Sequence, residues 1–175
     1  MSRVAIPRLE TPRLVLRGFE SGDLDLFAAM CADVEVMRYL GSPPLDRAGA
    51  WRKMALHLGH WELRGYGKWA VVEGATGRLI GRVGLWNPEG WPGLEVGWLL
   101  ARDRWGHGFA TEAGAAALRF AFERLGAEHV LSVIHPENAS SIRVAERLGE
   151  RYERSLEIGT VPVVVYGIGR AAWQA

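Results

Sequence analysis

Between Arg104 and Glu112 the chain reads Arg104-Trp105-Gly106-His107-Gly108-Phe109-Ala110-Thr111-Glu112, a glycine-bearing turn that runs into a helical pattern. The first amides of a helix have no partner inside it, and with the helix dipole they favour an anion at that end. Gly106 and Gly108 let the main chain approach a bulky anion with no Cβ in the way, and the small Ala110 meets the same need. Arg102 and Arg104 add charge. The chemistry favoured is the cradling of a pyrophosphate. The plainer alternative is a glycine loop that serves only a tight strand-to-helix connection. A Rossmann dinucleotide site would need this turn to open a βαβ unit, with an acidic residue about 20 residues on. Glu123 and Glu128 lie near that spacing, but the turn follows an antiparallel pattern. No Gly-Lys-Ser/Thr triplet occurs, which excludes a P-loop.

A second constellation, His135-Pro136-Glu137-Asn138 through Gly149, opens another helix. Asn138 suits its N-cap, Ser141 the third helical position and Gly149 the residue just past its end. His57 and His60 are three apart on a helix with no complementary Cys or carboxylate set, so no metal is expected. The one cysteine, Cys31, falls on an apolar helix face and suits a small buried hydrophobe.

The elements that must hold these groups follow from hydrophobic period. Leu14 to Leu16 is a first strand. Leu24, Phe27, Ala28 and Cys31 recur at helical spacing, and Gly41-Ser42-Pro43-Pro44 breaks that region. Trp51, Met54, Ala55, Leu58 and Trp61 mark the stripe of a second helix, closed by Gly65 and Gly67. Three strands follow as an antiparallel meander: Trp69 to Val72, Arg78 to Trp86, and Leu94 to Leu100. In the last of these, Leu94, Val96, Trp98 and Leu100 face one way, and Glu95, Gly97 and Leu99 the other. A helix from Thr111 to Gly126 carries the stripe Ala113, Ala116, Ala117, Phe120. Then come a strand His129 to Ile134, a helix Asn138 to Leu148, and two strands, Tyr152 to Ile158 and Val161 to Ile168. The order predicts a mixed α/β domain around one central sheet.

Length and composition agree. A chain of 175 residues, 49% hydrophobic and 23% charged, suits one globular domain, 1–175. Lys and Arg number 21 against 20 Asp and Glu, which argues against a nucleic-acid partner held by a broad basic field. The opening MSRVAIPRLETPRL has no apolar run of signal-peptide length, and no run elsewhere is long enough for a membrane span, so a cytoplasmic location and no membrane partner are expected.

WGHGFATEA, followed some 25 residues later by NASSIRVAERLG, resembles the GNAT superfamily of acyl-CoA-dependent N-acyltransferases. More narrowly, it resembles the branch that contains the ribosomal-protein N-terminal acetyltransferases of the RimJ and RimL type. LETPRLVLRGF and GRLIGRVGLW…LEVGWLL are similar to that branch too, so the likeness runs from about Leu9 to Gly169. It implies an α/β (α+β) domain with a central sheet of about seven strands, splayed in the middle, and about four helices. Coenzyme A would lie in the wedge between the strands Leu94 to Leu100 and His129 to Ile134. The main chain of Trp98, Leu99 and Leu100 would pair with its pantetheine arm. The amides of Trp105, Gly106, His107, Gly108, Phe109, Ala110 and Thr111 would hold its pyrophosphate, with Arg104 adding charge. Asn138 would hydrogen-bond the pantetheine, Ser141 would donate to the thioester sulfur, and Glu95 would take the amine proton, with a backbone N–H near Trp98 or Leu99 meeting the oxyanion.

The implied partners are acetyl-CoA, as cosubstrate, and an amine acceptor, with the chain a monomer or homodimer. A protein N-terminal α-amine is the acceptor of the branch. The alternatives are an antibiotic, polyamine or amino acid, or a non-catalytic acyl-CoA sensor. The acceptor groove is expected between Leu24 to Leu63 and the Asn87 to Gly93 turn, with Trp86 and Trp91 lining it, and Asp33, Glu35, Asp46 and Glu62 near enough to attract a cation. The chain departs from the family in two ways. Glu150-Arg151-Tyr152 stands after Gly149 where an aromatic is common, and no clear tyrosine acid is present, which leaves Ser141 ahead of Tyr152 as the donor.

Overall fold

Five strands in chain order lie side by side. They are β1 (Leu9–Glu10), β2 (Leu14–Arg17), β3 (Lys68–Glu73), β4 (Leu79–Trp86) and β5 (Glu95–Leu100), each antiparallel to the next. The computed structural model describes residues 5–173, so the first four residues of the opening MSRVAIPRLETPRL, and the last two of the expected domain 1–175, lie outside the described residues. Next to β5 runs β6 (His129–Ile134), followed by β8 (Val161–Gly169) and, at the edge, β7 (Arg151–Ile158). Among the described residues the sheet therefore has eight strands, one more than expected, because Leu9–Glu10 forms a two-residue edge that pairs with Val15 and Leu16. The helices are α1 (Leu24–Ala32), α2 (Val34–Met37), α3 (Arg47–Arg64), α4 (Phe109–Arg119) and α5 (Ala139–Arg147). Among the described residues no helix is long and apolar enough to cross a membrane.

Both faces of the meander are covered, so β3 and β4 are buried almost throughout. On one face Trp69, Val71, Val83 and Val96 cluster with Ala113, Ala117 and Leu118 of α4. The alanines bring that helix close to the sheet. On the other face Ala70, Val72 and Leu99 cluster with Phe27 and Cys31 of α1 and Met54 of α3.

The four-residue α2 is one helix more than expected, and α3 and α4 differ from expectation as well. The buried side of α3 holds Ala50, Met54, His57, His60 and Trp61, whereas Trp51 is 58% exposed and Ala55 and Leu58 also face outward. The stripe is rotated because two histidines occupy core positions. His57 stacks on Phe19 and meets Phe27 and Trp86 edge-on. His60 donates through Nδ1 to the Tyr66 carbonyl and accepts through Nε2 from the Asn87 amide. Burial, foremost, lowers the affinity of both rings for a second proton, and at His57 the neighbouring Arg82 adds to this. Helix α4 starts at Phe109, two residues before Thr111, and after Arg119 widens into a π-helical turn over Phe120–Arg124.

Candidate active site

Among the described residues the β5–β6 pair is the one parallel contact in the sheet, and it touches at a single rung, Glu95 opposite Leu131. There the Leu131 N–H donates to the Leu94 carbonyl at 2.9 Å, and one step further the Ser132 hydroxyl donates to the Val96 carbonyl at 2.8 Å. Beyond that the strands part. Main-chain groups alternate along a strand. Since the carbonyls of Leu94 and Val96 point toward β6, and the Ala101 N–H points to Ile80 on the other side, the Trp98 N–H and C=O face the gap. The main chain of Leu99 faces β4 instead, opposite Arg82, so Leu99 lends the gap only its side chain. This corrects the expectation that Leu99 pairs through its backbone. The Leu100 carbonyl also faces the gap but already accepts the Trp105 indole N–H at 3.0 Å.

The gap opens into a cavity of about 570 Å³. At one end lies the loop before α4. The first helical bond there runs from the Glu112 N–H to the Gly108 carbonyl, so the amides of Phe109, Ala110 and Thr111 precede any intrahelical partner. The loop amides of Gly106, His107 and Gly108 have no main-chain partner among the described residues. Gly106 and Gly108 hold φ of 76° and 79°, the left-handed region that favours glycine. The Trp105 amide, by contrast, is spent on the Arg102 carbonyl, so the open row begins at Gly106.

His107 does not line the cavity. Its ring donates to the Trp105 carbonyl and stacks on Phe109. Arg104 does line it, but is paired with Glu73 and Asp103. Two cations that the spacing did not flag, Arg143 and Arg147 one helical turn apart on α5, line it from the opposite side.

A brace absent from the expected set holds this loop. Glu112 accepts from the Thr11 hydroxyl at 2.6 Å, the Arg13 amide at 2.9 Å and the Arg13 Nε at 2.6 Å. Burial pushes its carboxyl up, but these donors outweigh that and hold it below its ordinary value. Arg13 also donates to the His107 carbonyl and lies over the Phe109 ring.

Glu95 sits at the apex of the wedge, 8% exposed rather than on an open strand surface. Its Oε2 accepts the Trp91 indole N–H at 2.7 Å, and its Oε1 lies 3.7 Å from the Lys68 ammonium. Lys68 is opposite Gly84, which is opposite Gly97, so its side chain crosses β4 to reach β5. A Cβ at Gly97 would fall 2.5 Å from Glu95 Oε1 and 2.6 Å from Lys68 Nζ; the pair occupies the space that glycine leaves free. Burial pulls the Lys68 ammonium below the usual lysine range, against the opposing field of Glu95.

On α5, Asn138 caps the helix through Oδ1, which accepts from the Ser141 amide at 3.2 Å and from the Ser140 hydroxyl at 2.9 Å. Ser141 faces the wedge, where its Oγ accepts the Trp98 indole N–H at 3.1 Å. Tyr152, the second candidate for an acid, is 56% exposed and bonded to Ser155 on β7, away from the cavity.

Glu150 is buried completely just after α5. The Ser132 hydroxyl lies 3.0 Å from its Oε1 and 2.8 Å from the Val96 carbonyl. One hydroxyl has one proton, so with Ser132 donating to Val96 a neutral Glu150 donates to Ser132. Burial, foremost, pushes Glu150 up to about 8.

A second cavity, of about 360 Å³, shares Lys68, Arg82 and Glu95 with the first and runs beneath α1 and α3. Trp86 and Trp91 line it, as expected of the groove there. Asp33 and Asp46 do not; they cap α2 and α3 by accepting from the Glu35 and Gly49 amides. Cys31 lines it as well, its thiol pushed up by burial and therefore a weak nucleophile.

A splayed parallel pair beside a row of open amides is the geometry of an acyl-CoA wedge, and the model of the acetyltransferase (GNAT) domain family matches residues 13–151. The chain belongs to the GNAT acetyltransferases. The uncharacterized protein YkkB of Bacillus subtilis (strain 168) is 31% identical over 165 residues, which cover 91% of this chain and 94% of that one. The crystal structure of the acetyltransferase from Agrobacterium tumefaciens str. C58 superposes with a TM-score of 0.85 at 31% identity, covering 94% of this chain and 95% of that chain. The spermidine N-acetyltransferase of Vibrio cholerae, solved with CoA and spermine, shares the fold at 22% identity and a TM-score of 0.76, covering 93% and 98%. As a GNAT protein the chain is an acyltransferase, built on one mixed sheet that opens in the middle.

Proposed function

We propose that this chain transfers an acetyl group from acetyl-CoA directly to a primary amine, with no covalent acyl-enzyme. The observation that carries this reading is the single-rung splay at Glu95 and Leu131, which opens onto the unpaired amides from Gly106 to Thr111. A diphosphate fits the amide row, whose glycines leave the space that a Cβ would fill, and an extended amide-bearing arm fits beside Trp98 as a surrogate strand. Asn138, with Oδ1 spent on its cap, keeps its amide N–H groups for that arm.

The amine must be neutral to attack. For an α-amine of pKa about 8 this costs about 1.4 kcal/mol at pH 7, and for a lysine near 10.4 about 4.6 kcal/mol. Glu95 at the junction of the two cavities takes that proton, directly or through water. Nitrogen then bonds to the thioester carbon, the Trp98 backbone N–H meets the oxyanion, and the C–S bond breaks with the Ser141 hydroxyl donating to the departing sulfur, while the nitrogen gives up its surplus proton, which balances the one that makes the thiolate a thiol. That thiol, with a pKa near 8.5, needs little assistance.

The RimJ/RimL-like motifs support a peptide N-terminal α-amine as acceptor. The second cavity, smaller than the first at about 360 Å³, supports a small molecule instead, a reading also compatible with the polyamine acetyltransferase of V. cholerae. The test is acetyl-CoA turnover, measured as free thiol, across N-terminal peptides, polyamines, amino acids and aminoglycosides. Coenzyme A binding with no thiol release from any of them would make the chain an acyl-CoA sensor and overturn the proposal.

A further inference from the structure

The second cavity carries a charge that a plain amine does not explain. Such an acceptor arrives as a cation, yet Lys53, Lys68 and Arg82 all line this space, and Glu95 is the one carboxylate among its described lining residues. That carboxylate is already matched by Lys68. Arg82 is 8% exposed, and no hydrogen bond or ion pair joins its guanidinium to any described residue; its Nε is buried with no partner. A guanidinium stays charged even when buried, and a buried charge without a partner is costly unless something completes it. His57 beside it, with both ring nitrogens unpartnered and the ring neutral, supplies no counter-charge.

Arg82 and Glu95 share one face of the sheet. Arg82 lies opposite Leu99, and Glu95 lies opposite Trp86 four residues along β4, roughly 13 Å of strand away at the backbone. The cavity lies over that strip. We propose that the acceptor is a compact amine that also bears an acidic group, a carboxylate or a phosphate-type anion, held by Arg82 while its nitrogen sits at Glu95. Arg82, with its planar fork, suits either anion. The inference rests on the acetyl transfer proposed above and narrows its acceptor. It disfavours polyamines, which would bring further positive charge to three cations.

The test compares kcat/KM from thiol release for matched pairs at saturating acetyl-CoA: serine against serinamide, glutamate against its diamide, and 2-aminoethylphosphonate against propylamine. Spermidine and a short neutral peptide complete the set. In the amino-acid pairs the amide has the less basic amine, so a preference for the acid cannot come from amine ionisation. The acid of each pair is expected to be favoured by about tenfold to a hundredfold. Arg82→Gln is expected to bring that ratio close to one, Arg82→Lys to keep part of it, and both to bind coenzyme A as the parent does by calorimetry. The wild-type pairs decide the matter even where Arg82→Gln does not fold. Equal or better use of the amides, propylamine, spermidine or the peptide overturns this inference and leaves acetyl transfer standing. Weakened coenzyme A binding in Arg82→Gln would assign the guanidinium to the donor and overturn it as well. No thiol release from any amine overturns both.

Discussion

The indole N–H of Trp98 donates to the hydroxyl of Ser141 at 3.1 Å and so ties β5 to α5 across the wedge. The bond occupies a lone pair of Ser141 and leaves its proton free to donate. On the proposed mechanism that proton meets the departing sulfur. Ser141→Ala is expected to lower kcat by about tenfold, the worth of one hydrogen bond to a charged group, without abolishing turnover. Trp98→Phe, which frees the hydroxyl to rotate, is expected to cost less. Steady-state thiol release measures both; an unchanged kcat in Ser141→Ala removes the serine from the reaction.

Glu95→Gln keeps the Trp91 contact and removes the base. Its kcat is expected to fall by about a hundredfold, within the range for general bases, and most at low pH, where more of the amine is protonated. Coenzyme A affinity by calorimetry is expected to stay within about twofold. A pH–rate profile that matches the parent would take Glu95 out of the mechanism.

Gly108 holds φ at 79°, and a β-branched side chain there is strained as well as close to Arg13 Nη2. Gly108→Val is therefore expected to disturb the open amides and weaken coenzyme A binding by at least about tenfold. Titration calorimetry checks it, and tight binding would contradict the cradle.

Glu150 makes a prediction about stability. Its proton affinity in the fold, raised to about 8, exceeds that of the unfolded chain, near 4.5. Between those values the native state binds more protons, so its stability falls as pH rises, by up to about 1.4 kcal/mol per pH unit. The benefit of a neutral Glu150 is whole below about pH 4.5 and gone above about pH 8. Glu150→Gln, neutral at every pH, is expected to lack this component, and so to be the more stable protein at pH 8.5. Urea denaturation of both proteins from pH 5 to 9 tests this; parallel curves would mean that Glu150 is already ionised in the fold.

Period and turn chemistry made most of the fold legible. The alternation in Leu94 to Leu100 placed Glu95 on the face opposite Val96, where the structure has it, because one residue's slip would have turned every side chain over. The cap at Asn138 and the glycine loop before α4 were legible for the same local reason. Helix α3 was not: hydropathy counts histidine as polar, so Trp51 and Leu58 looked like core while neutral His57 and His60 hold those places. Lys68 and Arg82 were invisible as site residues, because a charge within a strand looks solvent-facing until register shows it crossing to Gly97 or sealed under a helix. The brace from Arg13 to Glu112 spans 99 residues, a separation that no local pattern reports.

A sheet whose two halves meet at one rung is, in folding terms, two unequal pieces. The meander from β1 to β5 joins neighbours in sequence order, whereas β6, β8 and β7 form a second block that docks on it through Leu131 and the helices behind. A molecule lying in that seam as a stand-in strand would clamp one block to the other. Saturation with coenzyme A should accordingly slow amide exchange in β8 and β7, which lie beyond the strands it touches, and not merely around its own contacts.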